Sequence, residues 1–273
     1  RRLQAAARRR LRVLPPRARW HRRRVLAGPT VDERERDVGR RVSTRVSHRD
    51  AMHGGAGERY FSIGLSGLRC VHEAVTAASG ASEPQAILDL PCGHGRVLRW
   101  LRARYPQARL TASDLDRHGV DFCARTFAAR PVYSRADLGA LELGDRFDLI
   151  WCGSLATHLD AAGIGALLAL FARSLRDEGV AVVTTHGART AERLAAAGGT
   201  GYRLEPDRAA ALVREYQERG FAYADYAGEI GYGVSLSAPE WVRSAAATAG
   251  LREVLFLEHG WDDHQDVFGL VRG

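Results

Sequence analysis

Residues 86–96 read Ala-Ile-Leu-Asp-Leu-Pro-Cys-Gly-His-Gly-Arg. A short apolar strand runs into a carboxylate, Asp89, then into a turn holding Gly93 and Gly95, then into a helix. Glycines let a chain turn sharply and bring bare backbone against a nucleotide-like ligand. The carboxylate sets the sign of that ligand. Asp89 repels a phosphate and attracts a cation or an amine. A second carboxylate, Asp114, lies 19 residues past Gly95, where it can accept both hydroxyls of a ribose. The dinucleotide pattern Gly-x-Gly-x-x-Gly fails here, because Leu98 stands where its third glycine belongs. A phosphate-binding loop with its lysine is excluded, since the chain has no lysine.

The segment resembles the first motif of the class I S-adenosylmethionine-dependent methyltransferases, acidic-x-Gly-x-Gly-x-Gly. Asp89-Leu90-Pro91-Cys92-Gly93-His94-Gly95 carries it, with Pro91 in place of the first glycine. Proline fixes φ near about −65°, so the turn must enter without a positive φ at that position. The resemblance spans roughly residues 84–186 and, more loosely, the last two strands. It implies S-adenosylmethionine as cofactor. Asp89 then holds the amino end, with Gly93 and Gly95 in the turn. Asp114 takes the ribose, Asp137 the adenine amino group, and Leu138 offers a backbone amide. Backbone groups at Cys152-Gly153-Ser154 hold the methionine portion.

Methyl transfer needs a positioned acceptor and, for a hydroxyl, a base. The resemblance implies that three histidines after strands, His158, His186 and His264, face the ligand, and any of them is a candidate base. Glycine and tyrosine crowd the stretch 223–237, which suits a substrate lid with Tyr232 in it. Trp261-Asp262-Asp263-His264 forms a dense polar hairpin, and Trp261 and Asp263 are its candidate acceptor contacts. Aromatic rings beside hydrogen-bonding groups suit a saccharide or another polyhydroxy acceptor. No metal site is expected. Two alternatives stand beside methylation of a small acceptor at oxygen. One is a catalytically weak methyltransferase-like binding module acting through its basic tail. The other is a nucleic-acid methyltransferase, disfavoured by charge and by the absence of an Asn/Asp-Pro-Pro-aromatic motif after the fourth strand, where Cys152-Gly-Ser-Leu-Ala-Thr-His stands.

The elements that must carry these residues follow from periodicity. Strands at 86–90, 109–113, 131–134, 147–152 and 179–185 alternate with helices at 96–104, 117–128 and 161–176. That alternation predicts an α/β fold, a mostly parallel, Rossmann-like sheet with helices on both faces. Strands at 251–258 and 265–271 complete seven, the last antiparallel. A helix over 66–78 and another at 239–249 are expected. Residues 186–238 read as an irregular lid insertion with one helix at 205–219.

Length and composition agree with one such domain. The chain has 273 residues, 45% hydrophobic and 26% charged, with a net charge of +8. Residues 1–50 hold 17 arginines against five acids, a balance of +12, so the remaining 223 carry −4. The basicity belongs to an N-terminal extension or linker, 1–50, ahead of a methyltransferase domain at 51–273. In it, Leu3, Ala7, Leu11 and Leu14 fall at helical spacing until Pro15-Pro16 stop the helix. The Arg-rich residues 1–27 suit a peripheral membrane or protein contact. A capping box at Thr30 and Glu33 opens a helix carrying Val38, Val42 and Val46. Cys70, Cys92, Cys123 and Cys152 have no metal-type spacing and read as reduced. No apolar run approaches the ~20 residues of a membrane helix, and no secretory signal is seen, so a cytoplasmic location is expected.

Overall fold

The computed structural model describes residues 15–54, 56–79, 83–197 and 202–273. Its centre is a seven-stranded sheet. In chain order the strands are β1 (Ala86–Asp89), β2 (Arg109–Asp114), β3 (Arg130–Tyr133), β4 (Phe147–Cys152), β5 (Leu175–Thr185), and then β8 (Leu251–Trp261) and β9 (Gln265–Arg272). They lie in the order β3-β2-β1-β4-β5-β9-β8. β1 to β5 pair parallel, whereas β9 runs antiparallel to both β5 and β8. The chain starts at β1, steps outward to β3, then crosses back to β4. Ligands of open sheets bind in the crevice at that switch, beyond the carboxyl ends of β1 and β4.

The inner strands are largely apolar because both faces are covered. Ile87, Leu149 and Trp151 pack into one core with α3 (Glu58–Ser79), α4 (Leu98–Arg104) and α5 (Arg117–Phe127). Ala86, Leu88 and Ile150 point the other way, against α6 (Ala161–Ser174) and α9 (Pro239–Thr248). No described helix is long and apolar enough to cross a membrane.

Residues 15–50 are not a linker. Ala18, Val31, Val38, Val42 and Val46 are all buried in the first core. Pro15 and Pro16 sit in the first described turn of α1 (Pro15–Leu26). The leucine-spaced helix expected before them, with Arg8–Arg10, lies outside the described residues. Arg22 turns inward to the carbonyls of Arg40 and Val42, and Arg24 pairs with Glu58, while Arg17, Arg19 and Arg23 stand exposed. The capping box lies two residues later than expected, with Asp32 and Glu35 opening α2 (Glu33–Arg41). α2 ends before Val42, so Val42 and Val46 reach the core from extended chain.

A single buried arginine ties this segment to the glycine turn. Arg99 Nε donates to Gly95 O and Nη1 to Ser43 O and Arg45 O, each at 2.9 Å. Its Nη2 donates to Tyr60 Oη at 2.9 Å and to His94 O at 3.4 Å. Tyr60 Oη in turn donates a hydrogen bond to Asp50 Oδ2 at 2.6 Å.

Between β5 and α9 the chain is more regular than expected. It forms α7 (Ala188–Ala197), α8 (Pro206–Arg219) and a two-stranded antiparallel ribbon of β6 (Phe221–Asp225) and β7 (Gly233–Ser237). This unit has its own small core around Leu194, Leu212, Val234 and Leu236.

Candidate active site

A cavity of about 790 Å³ opens at the carboxyl ends of β1, β2 and β4. Asp89, Gly93, Asp114, Leu138, His158, Tyr232 and Trp261 line it, together with Arg96, Leu115, Trp151, Gly153 and Ser154. Residues from both ends of the chain close it: Asp50 and Met52 from the N-terminal segment, and Glu229 to Tyr232 from the β6–β7 turn.

The glycine turn has a clear local logic. Gly93 and Gly95 take φ values of +48° and +77°, in the left-handed region that disfavours side chains. A Cβ at Gly93 would meet nothing within 4 Å, so this bare backbone faces the cavity. At Gly95 a Cβ would lie 2.3 Å from Phe127, so that glycine permits close packing and does not line the cavity. Gly119, on α5, was not singled out by sequence. A Cβ there would come within 2.3 Å of Gly93 O, so it lets α5 approach the turn. The Leu90–Pro91 peptide bond is cis.

Asp89 is buried, and its Oδ1 has no partner. Burial pushes its carboxyl well above the usual range, and the neighbouring Asp114 adds to the shift, with Arg96 opposing it. Asp114 accepts from Gly93 N–H at 2.7 Å and from Asp116 N–H at 2.8 Å, one bond on each oxygen. Burial raises its pKa too, against the pull of those two amides. The unpartnered lone pairs of Asp114 remain for hydroxyl donors. Arg96 is half-buried with its guanidinium over Trp261, 5.3 Å from the ring centroid. Burial lowers its pKa. Asp89 and Arg96 together offer opposite charges to the two ends of an α-amino acid. Arg96 directly follows the second glycine, and that adjacency was its only signal in the sequence.

At the end of β4, Ser154 N–H donates to Thr184 Oγ1 at 2.8 Å, Thr184 donates to Gln265 Oε1, and Gln265 Nε2 returns to Ser154 Oγ at 3.0 Å. This ring fixes Gly153 and Ser154 against the cavity. Cys152 itself does not line it; its side chain is buried in the apolar core behind. Asp137 also departs from expectation. It is exposed, and its Oδ1 caps the turn by accepting from Gly139 and Ala140 N–H. Its neighbours Ala136 and Leu138 line the cavity instead.

The three histidines separate. His158 lines the cavity, with Nδ1 2.8 Å from Gly233 O. A carbonyl only accepts, so Nδ1 carries the proton and Nε2 keeps its lone pair. The Tyr232 ring stacks on His158 at 4.9 Å. Burial holds the His158 pKa below its ordinary 6.5. His186 does not reach the cavity. It is enclosed beside Tyr202 and His264, and burial brings its pKa down to about 3. The lone pair of His264 Nδ1 is taken by Arg193, and its Nε2 faces Tyr202 Oη at 3.3 Å. Asp263 points away to an ion pair with Arg189, and Asp262 pairs with Arg59. The polar hairpin is thus consumed by arginines from α3 and α7, apart from Trp261, whose indole donates to Ile63 O at 3.1 Å and whose ring meets Trp151 edge-on at 5.2 Å.

Residues 87–179 match the family described as a methyltransferase domain. Residues 87–179 carry a methyltransferase domain. The fold agrees. An S-adenosylmethionine-dependent methyltransferase from Clostridium acetobutylicum superposes with a TM-score of 0.53 at 14% identity, over 76% of this chain and 91% of that one. The sugar N-methyltransferase KedS8 of Streptoalloteichus superposes with a TM-score of 0.54 at 20% identity, over 82% and 92% of the two chains. In sequence, malonyl-[acyl-carrier protein] O-methyltransferase of Acetivibrio thermocellus is 30% identical over 109 residues, 40% of this chain and 38% of that protein. The methyltransferase domain implies S-adenosylmethionine as cofactor. The residues present fit it: an orphaned buried carboxylate oxygen for its ammonium, a bare glycine turn, and Asp114 for a ribose.

Proposed function

We propose that the protein methylates a hydroxyl oxygen of a small acceptor, using S-adenosylmethionine. The observation that carries this reading is His158, a neutral imidazole whose proton is fixed on Nδ1 by Gly233 O and whose Nε2 is free in the cofactor cavity. Asp89 binds the ammonium, Arg96 the carboxylate, and Asp114 the ribose hydroxyls. Leu115 and Leu138 flank the adenine. The cofactor supplies a methyl group activated by its sulfonium. His158 Nε2 accepts the hydroxyl proton as the acceptor oxygen bonds to the methyl carbon, and the broken C–S bond leaves its electron pair on sulfur. A hydroxyl is a weak nucleophile at neutral pH, which is why a base beside it matters. The malonyl-carrier relative is named for methylation at oxygen, which agrees with this chemistry.

The reading is tested by calorimetry with S-adenosylhomocysteine. The wild-type protein binds it. Asp114→Lys lowers the affinity about 100-fold or more, because a cation replaces a charged hydrogen-bond acceptor and the Gly93 amide loses its partner. Circular dichroism checks that the variant is folded. Unchanged affinity in a folded Asp114→Lys protein removes the ribose assignment, and absence of binding by the wild type removes the whole reading.

A further inference from the structure

The cavity has more apolar rim than a cofactor can cover. Among the described residues the large exposed apolar side chains are Trp20, Met52, Leu115, Tyr133, Ile230 and Tyr232, and four of the six line this one cavity. Soluble proteins scatter exposed apolar residues singly; a concentration around one opening marks a binding surface. Leu115 adjoins Asp114 and falls to the adenine. Met52, Ile230 and Tyr232 remain on the rim of the same cavity, and the Tyr232 ring stacks on His158.

Ile230 is presented deliberately. It is 98% exposed, between Gly228 and Gly231, whose φ values are +81° and +73°. The turn that carries it is held by Glu229 N–H to Tyr226 O at 3.0 Å and Gly231 N–H to Asp225 Oδ1 at 2.9 Å. Met52 stands on the N-terminal segment, 60% exposed. Its position is set by its N–H on Asp50 Oδ1 at 3.0 Å.

Two of the polar side chains on this cavity are already engaged. Asp50 is occupied by Tyr60 and by the Met52 N–H. Ser154 Oγ is engaged with Gln265 and Thr157. A ring bearing many hydroxyls would meet these engaged groups and the apolar rim, and each unpaired buried hydroxyl is costly.

Building on the O-methylation reading, we propose that the acceptor is an amphipathic small molecule. One hydroxyl reaches His158, and an apolar body lies against Met52, Ile230 and the Tyr232 ring. A free saccharide is then a poor acceptor.

The test uses protein saturated with S-adenosylhomocysteine and calorimetric titration with three probes: ethanol, 1-hexanol and methyl β-D-glucoside. Burial of part of the longer chain makes 1-hexanol bind about ten-fold or more tighter than ethanol, and the glucoside binds no better than ethanol. In the double variant Met52→Ser/Ile230→Ser the advantage of 1-hexanol shrinks to less than about three-fold, while S-adenosylhomocysteine affinity is unchanged. Equal affinities for the two alcohols, tightest binding by the glucoside, or an advantage that survives in the double variant each overturn the proposal. None of these touches the methyltransferase reading, which fails instead at the first step, if S-adenosylhomocysteine does not bind.

Discussion

Replacing His158 by asparagine lowers kcat about 10²–10⁴-fold, the range typical of a lost general base. S-adenosylhomocysteine affinity stays within about two-fold, because the proposed cofactor contacts come from Asp89, Arg96 and Asp114. Asparagine suits the test, since its amide nitrogen can still donate to Gly233 O, the contact that His158 Nδ1 makes at 2.8 Å. The structure around Tyr226 and Tyr232 is thereby kept while the basic lone pair goes. The pH dependence carries a second signature. The base must be neutral to work, and burial holds its pKa below 6.5. The wild-type rate is therefore flat through neutrality on this limb and falls only in acid below 6.5, whereas the residual rate of the variant lacks that limb. His186→Asn and His264→Asn leave kcat within about ten-fold in folded protein, because neither ring lines the cavity. A variant at position 158 with unimpaired kcat rules out the imidazole as the base.

Arg99→Met costs about 3–5 kcal/mol of stability, measured by urea unfolding, and weakens cofactor binding as well. The loss is large because the guanidinium serves both sides at once. It spans the carbonyls of Ser43 and Arg45 on one side and that of Gly95 on the other. Methionine fills much of the volume and leaves those carbonyls, and Tyr60 Oη, without a donor in a buried place. Arg99→Lys recovers only part of the loss, since an ammonium has three donors and no planar fork. A stability change under about 1 kcal/mol in Arg99→Met contradicts this account. Ser43, Arg45 and Tyr60 thereby brace the glycine turn through Arg99, although they lie outside the span 87–179 that carries the family match.

Much of this architecture was legible because the central strands obey a simple rule. Strands covered on both faces are largely apolar, and Asp89 and Asp114 break the run where β1 and β2 end at the cavity. Both reach the cavity for that reason. The histidines show where the rule stops. His158 and His186 each follow a strand of the same sheet, so position in sequence could not rank them. The difference arises from the insertion, whose Tyr202 encloses His186, while its ribbon supplies the carbonyl that orients His158. Asp263 and His264 were equally opaque, since their partners Arg189 and Arg193 lie more than 70 residues away. Ion pairing of that kind leaves no local pattern. Val42 and Val46 misled for the opposite reason. A spacing of four fits a helix, yet extended chain crossing a core buries valines equally well.

Burial of Asp89 strengthens its hold on a proton. Its carboxyl titrates well above 3.8 because burial and the neighbouring Asp114 outweigh the pull of Arg96. An incoming ammonium supplies a counter-charge and lowers the affinity of Asp89 for its proton. On the proposed reading acid therefore competes with cofactor capture. The same linkage acts on the fold. Because the native pKa lies above the unfolded one, Asp89 favours the empty native state most in acid below 3.8, and that contribution is lost as pH rises through the native value.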